Sequence, residues 1–192
     1  MLKILTTLAL STTCLLAQQV RAFDELAVEN GVYSLETSGW ELVPGAIDLT
    51  LLVDELVEVT GTLDTSGAVP VLTLASAALA DDAFEVDGTS QIGTTLDLNV
   101  ESHAGTFCFL LGGQAGDAAP LDPLGLAQYS GTSFLQLPAV MVASGPIVNE
   151  AFTHQLAIPN NPALVGAGLR LQAGVYAGGV VLINAADIEV EP

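Results

Sequence analysis

The side chains in this 192-residue chain that could do chemistry are its histidines, cysteines, arginines and carboxylates, and their supply is uneven. Asp and Glu number 22, against three Lys and Arg, two His and two Cys. His154, in AFTHQLAI, shares parity with Phe152, Leu156 and Ile158, which turns it toward a core or its edge. No nucleophile or paired carboxylate stands beside it, so it reads as a hydrogen-bonded structural histidine before a general base. His103, in VESHAGT, falls in a turn. The two are far apart, with no CxxC or HExxH spacing to suggest zinc. Cys108 lies between Phe107 and Phe109 in a strand-like run, where a buried inert thiol is expected, because a reactive one needs an electropositive neighbour.

The carboxylates are as unspecific. Asp81-Asp82, Glu85-Val86-Asp87-Gly88, Asp117 and Asp122 fall in loops and could ligate calcium, yet no EF-hand or nonapeptide spacing organises them, and solvated turn aspartates explain them without a site. Glycosidase chemistry needs two carboxylates at set distances across a cleft, and no pair stands out. There is no GxSxG elbow. The only lysine is Lys3, so Schiff-base catalysis, a P-loop and lysine isopeptide cross-links have no amine to use downstream. No enzyme and no cofactor is expected, calcium being the one ion the loops could take.

Lys3 itself begins a leader. An apolar run from Ile4 to Ala17, followed by Val20-Arg21-Ala22, reads as a secretory signal peptide over residues 1–22, cut after Ala22. The run is shorter than the roughly 20 residues that span a bilayer, so no membrane insertion is expected after cleavage. Loss of Lys3 and Arg21 would take the formal charge from −19 to −21, one arginine against 22 acids. Such a surface repels nucleic acid and anionic lipid headgroups and suits a saline exterior, where screening shortens self-repulsion. The secreted, extracellular or periplasmic protein would carry one cysteine and therefore no internal disulfide.

The elements that must position these residues read as strands. LVEVTGTL (56–63) alternates Val57, Val59 and Leu63 with Glu58, Thr60 and Thr62. The same pattern recurs at 70–77, 93–100, 106–111, 133–137, 151–158, 167–176 and 179–185, with DIEV near the end. The segment 47–56 is ambiguous between a strand and a short helix, and 75–84 could hold a helical turn. An all-β, jelly-roll-like sandwich is expected over residues 83–192. Residues 23–82 form either a small OB-like or accessory β module, or strands that complete one larger sandwich.

Gly93-Thr94-Thr95-Leu96, Gly112-Gly113, Pro123-Leu124-Gly125, Ile158-Pro159-Asn160-Asn161-Pro162-Ala163-Leu164-Val165-Gly166, Leu171-Gln172-Ala173 and Ile183-Asn184-Ala185 occur in that order from about residue 84 to the end. In these residues the second part resembles a β-rich C-terminal domain of large secreted proteins from planctomycete-type bacteria. The resemblance implies an extracellular sandwich-like fold, generally with no assigned activity. The first part, about 24–80, resembles small secreted OB-type barrels in LVEVTGTLDTSGAVPVLTLASAAL.

In GLRLQAGVY, alternation puts Arg170, Gln172 and Tyr176 on the face opposite Leu169, Leu171, Ala173 and Val175. Arg170 is expected to grip one or two carboxylates and pin its strand, with ligand recognition by Arg170, Gln172 and Tyr176 as the alternative. Trp40, Tyr129 and Tyr176 are the rings that could stack on a sugar. The function expected is that of a secreted, non-catalytic structural or interaction protein at the cell exterior, its partners a surface protein or extracellular polysaccharide. The alternative is an extracellular module binding carbohydrate or another small ligand, with or without calcium.

Overall fold

The computed structural model describes residues 18–121, 129–136 and 138–192, so Asp122, Pro123-Leu124-Gly125 and Leu137 lie outside the described residues, as does the Tyr129 side chain. The chain is all-β and sandwich-like, as its alternation predicts, with one described helical turn, a 3-10 turn at Pro162–Leu164.

The first five strands are β1 (Gln18–Glu29), β2 (Val32–Leu35), β3 (Glu41–Val43), β4 (Leu56–Asp64) and β5 (Val71–Leu79). They close among themselves in the order β1-β2-β3-β5-β4. Every pairing is antiparallel except β3 with β5. That order with its single parallel seam is the arrangement of an OB-type barrel. Alternate residues fill the interior: Val20, Ala22 and Leu26 from β1, Val57, Val59 and Leu63 from β4, Leu72 and Leu74 from β5, with Trp40 and Leu49 from the connections.

Gly61, in the LVEVTGTL stretch of β4, sits where the barrel closes tightly. The register with β5 slips between Thr60 and Gly61, and a Cβ on Gly61 would collide with the Thr73 carbonyl. A glycine at a bulge lets one backbone press on another where a side chain cannot fit.

The remaining strands form two layers. β6 (Asp82–Asp87), β7 (Thr95–Ser102) and β12 (Ala151–Ala157) make a three-stranded sheet ordered β12-β7-β6. β8 (Phe107–Gly113), β9 (Ala115–Pro120), β10 (Tyr129–Leu135), β11 (Val140–Pro146), β13 (Gly168–Tyr176) and β14 (Val180–Glu189) make a six-stranded sheet ordered β11-β8-β13-β14-β10-β9. The core between them takes Phe84, Leu96, Leu98 and Val100 from the smaller sheet and Cys108, Leu110, Leu171, Ala173, Val175 and Ile183 from the larger.

Barrel and sandwich share β1. Phe23 points away from the barrel interior and is buried in the sandwich core, while its neighbours Val20, Ala22 and Leu26 serve the barrel. The Thr132 hydroxyl of β10 donates to the Arg21 carbonyl at 2.9 Å, and the Asn184 amide of β14 both accepts from the Phe84 N–H and donates to the Phe84 carbonyl, at 2.8 Å each.

Some local expectations change. Residues 47–55 are neither strand nor helix but a run of bends and turns. The proposed helical turn in 75–84 is absent, because β5 continues to Leu79 and β6 starts at Asp82. GVVLINA and DIEV merge into the single strand β14. Residues 18–22, read as the end of the leader, are the first five residues of β1.

Replacing Gly61 with alanine is expected to cost about 2 kcal/mol, the scale of an overpacked core site. A lowered urea midpoint with an unchanged slope is the expected result, and an unchanged midpoint would contradict the close approach to Thr73.

Candidate functional site

The surroundings of Arg170 are built by the turn that precedes β13. Pro159 and Pro162 fix their own φ angles, and the Asn161 side chain caps the 3-10 turn by accepting from the Ala163 N–H at 3.1 Å. The chain then enters β13, where Arg170 stands directly across from Asp187 of β14. The guanidinium grips that carboxylate with two donors, Nε to Oδ1 at 2.7 Å and Nη2 to Oδ2. Its third nitrogen reaches toward the Phe134 carbonyl at 3.5 Å. This fork holds the Asp187 carboxyl below the usual carboxylate range, and the bonds to Asp187 raise the Arg170 guanidinium above its own.

A shallow cavity of about 500 Å³ opens beside the pair, with Gln114, Gly166, Arg170, Asp187 and Glu189 on its walls. Two of these walls are acidic, and the cation among them is already occupied by a carboxylate.

Gln172 lies on the parity expected but is fully buried. β10 pairs with β14 through Tyr129–Gly131, and its continuation reaches the face that Gln172 occupies. The Gln172 Nε2 donates to the carbonyls of Thr132 at 2.7 Å and Ile183 at 2.8 Å, and its Oε1 accepts from the Phe134 N–H at 3.0 Å. The side chain therefore ties β10 to β13 and β14, and with both N–H donors used and no exposed surface it is closed to a ligand. Tyr176 is 47% exposed, but six residues of extended strand, about 20 Å, separate it from Arg170. Arg170, Gln172 and Tyr176 thus do not converge on one site.

The other candidates are dispersed too. Trp40 is 2% exposed, part of the barrel core, and cannot serve as a sugar platform. Cys108 is buried between the sheets, and desolvation pushes its thiol up to about 12, where almost no thiolate forms at neutral pH. His154 is half-buried opposite Leu98, on the core-facing parity of β12. His103 is exposed at the end of β7, with Nδ1 against the Asp81 carbonyl at 3.0 Å and Nε2 at 3.7 Å from Glu150, contacts that raise its pKa in that order of importance. Among the described residues, no group of three or more His, Cys, Asp or Glu is placed to hold a metal ion.

Two carboxylates carry structural roles that spacing does not disclose. Asp24 is buried and accepts from three backbone N–H groups, those of Glu25, Thr37 and Ser38, at 2.9 to 3.0 Å, which anchors the β2–β3 turn to β1. Glu58 pairs with Arg21 at 2.8 Å. Because Thr37 and Ser38 follow Asp24 by 13 and 14 residues, their bonds to it leave no local signature beyond the Thr37-Ser38-Gly39 turn.

No protein-family model matches this chain, and no curated protein matches it either.

Arg170→Gln is expected to lower stability by about 1 kcal/mol, since solvent around Asp187 screens the pair. Because the Asp187 carboxyl is held low in the folded protein, its contribution is complete above its unfolded value and lost as pH falls through the folded one. The gap in Tm between the parent and Asp187→Asn should therefore close below about pH 4. Gln172→Leu, which strands three buried backbone groups, is expected to cost about 3 kcal/mol or more, and a loss smaller than that of Arg170→Gln would contradict the hydrogen-bond set described.

Proposed function

We propose that the protein is a secreted, non-catalytic structural or interaction protein that works at the cell exterior by lateral association. The observation that carries this reading is the β11 edge of the six-stranded sheet. Strands β8 and β11, Phe107–Gly113 and Val140–Pro146, contain no charged residue in a chain with 22 carboxylates. β11 is the outermost strand, with Val140 63% and Met141 64% exposed. Phe107 is exposed as well, next to Tyr176 on β13 and Pro146 on β11.

Edge strands are ordinarily protected by lysine, inward charge or proline, and exposed apolar surface of this kind marks contact with another molecule. Here proline enters only at the last residue of β11. The unpaired backbone groups of such an edge favour a protein strand, and the lack of carboxylates makes it a place where an acidic protein can be approached by another acidic one. The resemblance of residues 84–192 to domains of large secreted proteins agrees with an exterior role.

The cavity beside Arg170 supports a second reading, a module for carbohydrate or another small extracellular ligand. Sedimentation of the exported protein in moderate salt, combined with a polysaccharide panel screened with and without calcium, separates the two. Concentration-dependent association that is lost in Val140→Lys/Met141→Lys, with the melting temperature retained, is the expected outcome. A strict monomer that binds a polysaccharide would replace the first reading with the second.

A further inference from the structure

The start of β1 bears on where the leader is removed, a question that rests on the secretion reading above. Of the eight register pairs that join β1 to β4, five, Gln18 with Leu63 through Ala22 with Val59, precede Phe23. Val20 and Ala22 are buried in the barrel core. The Gln19 amide donates to the Thr62 hydroxyl at 2.6 Å, the Arg21 Nε donates to Glu58 at 2.8 Å, and the Arg21 guanidinium lies 4.9 Å from the Phe23 ring centre. The Arg21 carbonyl is the acceptor for Thr132, one of the bonds between barrel and sandwich.

A cut after Ala22 would remove all of this. It would leave the β1-facing backbone groups of Val59–Leu63 without partners and take two apolar side chains out of a small core, where each unpaired group and each void is costly. Signal peptidase needs a small, uncharged side chain immediately before the bond it cuts. Ala17 meets that need at the end of the apolar run, immediately before β1 begins, with Leu15 in place of a small residue three positions before the bond.

We propose that leader removal occurs at the Ala17–Gln18 bond, and that the mature protein keeps the whole of β1 and both Arg21 and Arg170. Signal peptidase breaks the amide with one water, so that Ala17 becomes the carboxylate end of the leader and Gln18 a free amine. That amine can then attack the Gln18 side-chain amide carbon and release ammonia, closing a cyclic N-terminus.

The test is to express the full chain with its own leader in a secreting bacterial host and digest the exported protein with trypsin for mass spectrometry. The expected products are a Gln18–Arg21 tetrapeptide, intact or lighter by one ammonia, a long Ala22–Arg170 fragment and a C-terminal Leu171–Pro192 fragment. An exported protein whose long fragment begins at Phe23 overturns the proposal while leaving secretion intact; a chain retained in the cell with its leader attached overturns both. Ala17→Leu is expected to lose the processed form, whereas Ala22→Leu is processed like the parent whether or not it folds. The reverse pattern contradicts the assignment.

Discussion

The structure depends on one strand being buried on both sides. β1 alternates between two interiors, giving Val20, Ala22 and Leu26 to the barrel and Phe23 to the sandwich. A strand buried on one face tolerates polar residues on the other, but β1 has little freedom on either over its central residues. A slip of one residue would send Phe23 into a barrel already filled by Trp40 and the leucines of β2 and β5. Thr132, bonded to the backbone of β1, then ties barrel to sandwich, and Asn184, bonded to that of Phe84, ties the two sheets of the sandwich together, both through polar contacts made without any charge.

Polar side chains in this protein do much of what cations do elsewhere. Gln172 satisfies three backbone groups in a dry site, Asn184 imitates a strand partner, and Asp24 collects three amides at a turn. The neutral amides of Gln172 and Asn184 avoid the desolvation cost of a buried ion, and the buried Asp24 carboxylate offsets that cost with its three backbone N–H donors. The carboxylates are left largely to the surface. Where four of them, Asp24, Glu25, Glu36 and Asp54, come near each other beside β1, burial and mutual repulsion raise the Glu25 carboxyl above its usual range. Mobile ions at raised salt would relieve that repulsion.

Much of the sandwich was legible because its strands alternate cleanly. β7 and β13 of the sandwich and β4 of the barrel turn alternate residues inward, β12 does so with His154 in the series, and that period locates them, whereas β8, FCFLLGG, is apolar on both faces and reads as an apolar run. β1 was hidden because Val20-Arg21-Ala22 satisfies the pattern of a cleavage site as well as that of a strand. β9, AGDAAP, has side chains too small to show any period, and β3 is three residues long. The site was less legible than the fold. Parity placed Arg170 and Gln172 on one face correctly, but it says nothing of what covers that face, and the arrival of β10 turns Gln172 from a surface group into an interior one. The Arg170–Asp187 contact follows the chemistry expected of the arginine, although only the β13–β14 register could name the aspartate.

The position of Cys108 has a consequence for how copies or partners can be held together. The thiol is sealed between two sheets and is the one free cysteine among the described residues. While the sandwich stays closed, oxidants and other thiols in solution cannot reach it, and its high pKa removes the reactive form. The association proposed along the neutral edge would therefore not be fixed by a covalent bond through Cys108. It would be reversible, set by concentration and salt, and tethering through Cys108 would require a molecule that has already opened its core.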